Sequence, residues 1–153
     1  MIVMLNKHEQ RLAKYLAKCR YQIARSAGVE NQRVGPQPDW QTDLEGLGAE
    51  LAFCRLHNVY PDISLETYGR GDCYCFKLGA VDVKATKHQH GNLITTVGKA
   101  DKPRPDCYAL MIGVFPEYRY VGWATADELL RDDRIRDFGH GPTYAIPQKE
   151  LNN

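Results

Sequence analysis

The stretch GDCYCFKLGAVDVKAT, Gly71 to Thr86, decides the fold of this chain. Its second half alternates apolar and charged residues, which is typical of a half-buried β-strand. Asp82 and Lys84 then project from one face, and the opposite face packs through Val81, Val83 and Ala85. A turn near residues 76–79 makes the stretch a hairpin that brings Asp72 close to Asp82. The sequence therefore predicts two carboxylates and one amine on one small surface.

Helical periodicity precedes this hairpin, and strand patterns follow it. Residues 5–26 carry apolar residues at helical spacing, and a second helix is predicted over residues 42–58 with a capping box at Thr42 and Glu45. Strands are predicted at 73–78, 80–86, 107–115 and 118–124, a short helix follows a capping box at Thr125 and Glu128, and an edge strand at 143–146. Helices followed by mostly antiparallel strands indicate an α/β (α+β) mixed sheet flanked by helices.

Length and composition predict one domain, residues 1–153, because 43% hydrophobic residues supply enough apolar surface for a single core. The five cysteines lack the spacing of a disulfide framework or a zinc ribbon, which favours a reduced, cytoplasmic chain. No apolar run approaches the about 20 residues that span a bilayer. The apolar run at the start, in MIVMLNKHEQRLAKYL, is too short for a signal peptide. We expect a cytoplasmic protein without a membrane partner. The net charge of +1 neither requires nor excludes an acidic partner.

A third acidic residue belongs to the predicted second helix. Glu50 lies at the margin of that helix's apolar stripe, formed by Leu44, Leu47, Leu51 and Cys54. A carboxylate tilted toward the sheet costs free energy unless it is paired or bound to a metal. Opposed carboxylates on adjacent strands also need a cation, and oxygen-only ligands suit magnesium or manganese. Gly46 and Gly48 indicate close packing of this helix or a nearby substrate.

These acids and the lysine form an ordered set: an acid on a glycine-containing helix, an acid that begins a hairpin, and Asp-x-Lys in an apolar strand. The set resembles the PD-(D/E)xK nuclease superfamily, which has a restriction-endonuclease-like fold. The match runs through GLGAELAF, GDCYCFKLGAVDVKAT and, more loosely, YRYVGWATADELL. The resemblance implies that Glu50, Asp72 and Asp82 are catalytic acids that bind Mg²⁺ (or Mn²⁺) together with the backbone carbonyl of Val83. It also implies that Lys84 orients the attacking water or stabilises the transition state.

The chain departs from the family pattern at the first strand acid. Asp72 follows a glycine, whereas literal Pro-Asp pairs occur at Pro61-Asp62 and Pro105-Asp106. Asp62 is therefore an alternative first acid. The hairpin favours Asp72, because residues 72 and 82 are about equally distant from the turn.

The resemblance implies a metal-dependent deoxyribonuclease, an endonuclease of phage or mobile-element type, whose partner is DNA. Carboxylate-bound magnesium suits phosphodiester hydrolysis, which needs an activated water and charge neutralisation at the phosphate. Double-strand cleavage would favour a homodimer. The alternatives are an inactive nucleic-acid-binding module on the same fold, an exonuclease acting on DNA ends, and a zinc-binding regulatory protein, for which the Cys and His spacing is poor.

A basic stretch follows the Asp-x-Lys triplet. The segment KATKHQHGNLITTVGKADKPR contains one acid among many cationic residues, so we expect it to contact the phosphate backbone. The predicted nucleic-acid-binding residues are Lys87, His88, His90, Lys99, Lys102 and Arg104. Tyr118 and Tyr120, which flank Arg119, are further candidates for contact with nucleic acid.

Overall fold

The computed structural model describes residues 1–28, 38–65, 70–98 and 103–153. Within these ranges the helices are α1 (Lys7–Ser26), α2 (Asp39–His57) and the short α3 (Ala126–Leu129). The strands are β1 (Ile2–Met4), β2 (Cys73–Cys75), β3 (Gly79–Thr86), β4 (Leu93–Thr96), β5 (Cys107–Val114), β6 (Glu117–Thr125), β7 (Ile135–Asp137) and β8 (Pro142–Ile146). The mixed α/β class predicted from the sequence is confirmed.

The described strands form two sheets. The larger has the order β1-β6-β5-β3-β2, in which β3 and β5 are parallel and the other neighbours are antiparallel. The smaller has the order β4-β8-β7. Residues 143–146 were predicted as an edge strand, which is wrong, because β4 and β7 pair with β8 on both sides. The sequence pattern did not reveal β4 or β7, so β8 had no predicted neighbours.

Helix α1 begins with a capping box that the sequence analysis did not assign. The Asn6 side chain accepts hydrogen bonds from the backbone N–H groups of His8 and Glu9, and the Glu9 carboxylate accepts from the Asn6 N–H. The buried face consists of Ala13, Leu16 and Ala17. The larger apolar residues Leu12, Tyr15 and Ile23 are exposed. Small residues allow α1 to approach α2 closely, so the largest apolar side chains did not mark the packed face.

Helix α2 begins at Asp39, three residues earlier than predicted, after Pro38 at its N-cap. The predicted capping box at Thr42 and Glu45 is wrong, because neither residue lies at the helix start. The Glu45 carboxylate instead accepts a hydrogen bond from the Phe115 N–H at 2.7 Å and one from the Tyr118 hydroxyl at 3.2 Å. A tertiary contact has therefore taken the place of the local cap.

Two glycines of α2 differ in their surroundings. A Cβ atom at position 48 would collide with the Tyr118 side chain, whereas one at position 46 would meet nothing within 4 Å. Close packing is therefore confirmed for Gly48 and leaves Gly46 unexplained. Tyr118 is buried beneath α2, so the predicted contact of this tyrosine with nucleic acid is wrong.

The five-stranded sheet is covered on both faces. One face packs against α2 through Val81, Val83, Ala109 and Met111, which contact a cluster that includes Ala49 and Phe53. The other face packs through Tyr108, Leu110 and Ile112 against Leu93, Leu129 and Ile146. Ala85, predicted to pack with Val81 and Val83, is exposed near the end of β3. No helix in the described ranges is long and apolar enough to cross a membrane.

Candidate functional site

The predicted hairpin is present, with a shorter first strand. Strand β2 pairs with β3 in the register Cys73↔Val81, Tyr74↔Ala80 and Cys75↔Gly79. Residues 76–78 form the turn rather than the end of the strand, and the Leu78 N–H donates to the Cys75 carbonyl at 3.0 Å. The Asp72 N–H donates to the Val81 carbonyl at 2.7 Å, so Asp72 lies at the position predicted opposite Asp82.

Backbone contacts hold the Asp72 carboxylate against β3. Its Oδ2 accepts a hydrogen bond from the Val83 N–H at 2.6 Å, in place of the carbonyl that a longer β2 would supply. Gly71 allows this approach, because a Cβ atom at position 71 would lie 2.6 Å from the Val81 carbonyl oxygen. The Asp72 carboxylate is therefore hydrogen-bonded to the backbone of β3, the strand that carries Asp82 and Lys84.

Asp82 and Lys84 form a half-buried ion pair on β3. The Lys84 Nζ lies 2.8 Å from Oδ1 and 3.1 Å from Oδ2 of Asp82, and 5.9 Å from the centre of the Tyr108 ring. Burial lowers the pKa of Lys84, but the charge and hydrogen bond of Asp82, together with Asp72 and Tyr108, more than offset this effect, so the pKa is raised above its ordinary value. Lys84 is thus an ammonium ion at neutral pH.

Glu50 is held by a residue that the sequence analysis did not identify. Arg20, on α1, donates one hydrogen bond to the Glu50 carboxylate at 3.0 Å and another to the Asp62 carbonyl at 2.9 Å. Burial raises the pKa of Glu50 in spite of the Arg20 guanidinium, and Asp82 raises it further. Arg20 follows the buried residues Ala13, Leu16 and Ala17 at helical spacing, and this position on the buried face of α1 is the signal that would have found it.

The alternative acid, Asp62, is a backbone neighbour of Asp72. Its N–H donates to the Asp72 carbonyl at 3.0 Å, beside the antiparallel bridge between Pro61 and Cys73. Its carboxylate, however, accepts a hydrogen bond from the Ser64 N–H at 2.8 Å, within its own turn. The two carboxylates therefore have different partners, and only that of Asp72 bonds to β3.

The carboxylates outnumber the cations at this site. Burial raises the pKa of Asp72 well above its ordinary value, and the negative charges of Glu50 and Asp82 raise it further. Arg20 and Lys84 are the two cations that the structure brings to these three acids. The described residues contain no preassembled group of three Asp, Glu, His or Cys side chains around one point. Glu50, Asp72 and Asp82 nevertheless supply oxygen ligands of the kind that magnesium or manganese prefers.

The predicted nucleic-acid-binding residues have different environments. Lys87, His88 and His90 are exposed in the turn after β3, on the chain that leaves the site. Arg104 is exposed but forms an ion pair with Asp127. Lys99 and Lys102 lie outside the described residues. Within the basic stretch, the exposed cationic residues nearest to the site in sequence are therefore Lys87, His88 and His90.

No family model, curated protein or solved structure matches this chain. Any functional assignment therefore depends on the geometry and charge of the site itself.

Removing the Asp72 charge is expected to stabilise the fold at neutral pH. A raised carboxyl pKa means that the folded state binds the proton more tightly than the unfolded state, so stability is fully present below about pH 4 and falls as pH rises through the folded pKa. Asp72→Asn removes this loss and retains an oxygen that accepts the Val83 hydrogen bond. A gain of about 1 kcal/mol would raise Tm by about 2–4 °C. Thermal melts from pH 4 to pH 8 measure the difference.

Asp62→Asn is the matched control, because it removes a carboxylate bonded only within its own turn. The gain of Asp72→Asn over wild type should grow with pH and vanish below about pH 4. Magnesium should raise the Tm of wild type more than that of Asp72→Asn. A Tm of Asp72→Asn below that of wild type at pH 7 would show that the charge of Asp72 does not destabilise the folded state.

Proposed function

We propose that this protein is a magnesium-dependent deoxyribonuclease of the PD-(D/E)xK type, acting as an endonuclease, with a restriction-endonuclease-like fold. The observation that carries the proposal is the geometry of the hairpin, in which the Asp72 carboxylate accepts a hydrogen bond from the Val83 N–H, between Asp82 and Lys84, whose side chains lie 2.8 Å apart. Glu50 of α2 adds a third carboxylate, whose charge raises the pKa of Asp72. Such a cluster of carboxylates with one ammonium supports phosphodiester hydrolysis.

Glu50, Asp72 and Asp82 would hold the Mg²⁺ or Mn²⁺ ion, together with the carbonyl of Val83. The ion would neutralise charge at the attacked phosphate and assist departure of the leaving oxygen. The protein supplies the rigidity: the Val83 N–H orients Asp72, and Arg20 orients Glu50. A divalent ion held there would reduce the mutual repulsion of the three carboxylates.

Lys84 acts on the water and the phosphate. Water attacks phosphorus and gives a proton to solvent or to a basic group at the site. The bond from phosphorus to one sugar oxygen breaks, and that oxygen leaves with the bonding electron pair and takes up a proton from solvent. The Lys84 ammonium orients that water or stabilises the negative charge that grows on the phosphate oxygens. Its raised pKa keeps it charged throughout the neutral range.

The ion pairs of the site favour a second candidate function. Asp82 is paired with Lys84 and Glu50 with Arg20, so two of the three acids have partners within the chain. An inactive nucleic-acid-binding module on this fold could carry the same pairs for stability alone. Such a module binds DNA and does not cut it.

A cleavage assay separates the two candidates. Purified protein should nick or linearise supercoiled plasmid in magnesium, and should leave it intact in a chelator. The same assay on linear DNA with blocked ends tests whether cleavage is internal. DNA binding in calcium without cleavage in magnesium or manganese would support the binding module and overturn the nuclease. Absence of both binding and cleavage would overturn both candidates.

A further inference from the structure

An open cleft of about 660 Å³ lies at the outer edge of β2, next to the carboxylate site. The residues of the cleft that matter here are Tyr60, Asp62, Arg70, Gly71, Tyr74 and Ala80. Gly71 immediately precedes Asp72, and Asp62 pairs with Asp72 through the backbone. The cleft therefore adjoins the proposed hydrolytic site at Asp62 and Gly71, the two cleft residues next to Asp72.

Two tyrosines, Tyr60 and Tyr74, line this cleft. The antiparallel bridge between Pro61 and Cys73 continues on one side to Asp62 and Asp72. Tyr60 and Tyr74 are the residues that flank this bridge on its other side. Tyr60, Asp62 and Tyr74 all line the cleft, so both tyrosines lie beside the backbone pair of Asp62 and Asp72.

Both tyrosine rings are open to solvent. Tyr60 is 75% exposed and Tyr74 is 69% exposed. The ring contacts in the described part of the chain join Phe53, His57 and Tyr120, and neither cleft tyrosine takes part in them. Two unstacked aromatic faces beside an anionic-substrate site are a recognised means of holding unpaired bases.

A cation lies at the rim of the same cleft. The Arg70 side chain is 63% exposed and contacts Asp106 at 3.2 Å and the Arg104 carbonyl at 3.3 Å. These contacts tie a guanidinium to the start of β5 and leave much of it in solvent. The cleft thus combines two tyrosines with a guanidinium that is paired with Asp106 and still largely exposed, groups that can contact the planar base and the phosphate of a nucleotide.

We propose that this cleft binds an unpaired nucleobase of the DNA strand whose phosphate lies at Asp72, with the base stacked on Tyr60 and Tyr74. The inference rests on the proposed nuclease function and narrows its substrate. Bases inside a duplex are already stacked on both faces, so the substrate strand must be single-stranded, frayed or locally unpaired at this position. Single strands and junctions with unpaired bases are then preferred over intact duplex.

Binding of a fluorescent oligonucleotide tests the cleft without requiring cleavage. The probe is a short single strand with 2-aminopurine, whose fluorescence is quenched by stacking, titrated with protein in calcium and compared with the same sequence as a duplex. Wild type should bind the single strand more tightly and change its fluorescence. Tyr74→Leu should weaken single-strand binding about 5- to 150-fold, the range expected for one lost stacked base. Tyr74→Phe should retain the affinity.

Tyr15→Leu is the matched control, because Tyr15 is a 65% exposed tyrosine on α1, outside the cleft. Tyr60→Leu, which changes the other tyrosine of the cleft, should behave like Tyr74→Leu. Unchanged affinity in both cleft variants, an equal loss in Tyr15→Leu, or an equal loss for duplex would overturn the cleft proposal.

A protein that binds and quenches the probe but never cuts DNA would contradict the nuclease function and support the cleft. A protein that cuts DNA with unaltered binding in both cleft variants would keep the function and lose the cleft. Failure to bind either form of DNA would overturn both.

Discussion

Lys84→Ala is expected to lower the rate of DNA cleavage by at least about a hundredfold, the size of effect seen when one charge-stabilising donor is removed from an active site. The Lys84 ammonium lies 2.8 Å from Asp82 and stays protonated, so under the proposed mechanism it would stabilise charge at a phosphate bound through a metal ion on the neighbouring acids. The fold should persist, because a partly exposed ion pair contributes at most about 1 kcal/mol. Rates on supercoiled plasmid, with melts of the same samples, measure both effects.

The matched control is Lys87→Ala, which removes an exposed lysine three residues further along the chain. It should weaken DNA binding modestly and leave the rate at saturating DNA close to that of wild type. Lys84→Arg should restore the rate only in part, because a planar guanidinium does not replace a compact ammonium. A wild-type rate in Lys84→Ala would exclude the proposed mechanism.

Asp72→Asn is expected to abolish magnesium-supported cleavage, whereas Asp62→Asn should reduce it only mildly. The Asp72 carboxylate bonds to the β3 backbone beside Asp82, while the Asp62 carboxylate bonds to Ser64. The Asn side chain retains the shape of Asp72 and the acceptor for the Val83 N–H, so only the charge is lost. The measurement is the cleavage rate of each variant across a magnesium titration.

If Asp62 rather than Asp72 is the first strand acid, the cleavage rates of the two variants should be reversed. A severe loss in Asp62→Asn with a mild loss in Asp72→Asn would make Asp62 the metal-binding acid. Asp72→Asn should also combine lost activity with greater thermal stability at pH 7, since its buried charge opposes folding. Loss of activity together with loss of stability would indicate a structural role for Asp72 instead.

Local patterns predicted the hairpin correctly. The alternation in GAVDVKAT marked β3, and the turn that follows β2 brought Asp72 to the predicted place. The capping box at Thr125 and Glu128 also formed as predicted. These features succeed because they depend on residues within a few positions of one another, whose backbone geometry is set by strand pleating or by the first turn of a helix.

Features that depend on distant partners were missed or assigned wrongly. Glu45 matched a helix-cap pattern, yet its carboxylate bonds to Phe115, 70 positions away. The sequence pattern of β8 predicted an edge strand, but β4 and β7 pair with β8 on both sides. A local pattern specifies which groups need partners and leaves open which partners they find, because those come from the packing of the whole chain.

The sequence by itself determined that Asp72, Asp82 and Lys84 share one hairpin and that Glu50 belongs to the helix before it, because periodicity places side chains on faces. Only the tertiary structure decided how each charge is balanced. Arg20 reaches Glu50 across 30 positions because α1 packs on α2, and Tyr60 comes to the cleft because Pro61, which follows it, pairs with Cys73 of β2. Burial then determines the protonation of the acids, and burial is a property of the assembled fold rather than of any short stretch.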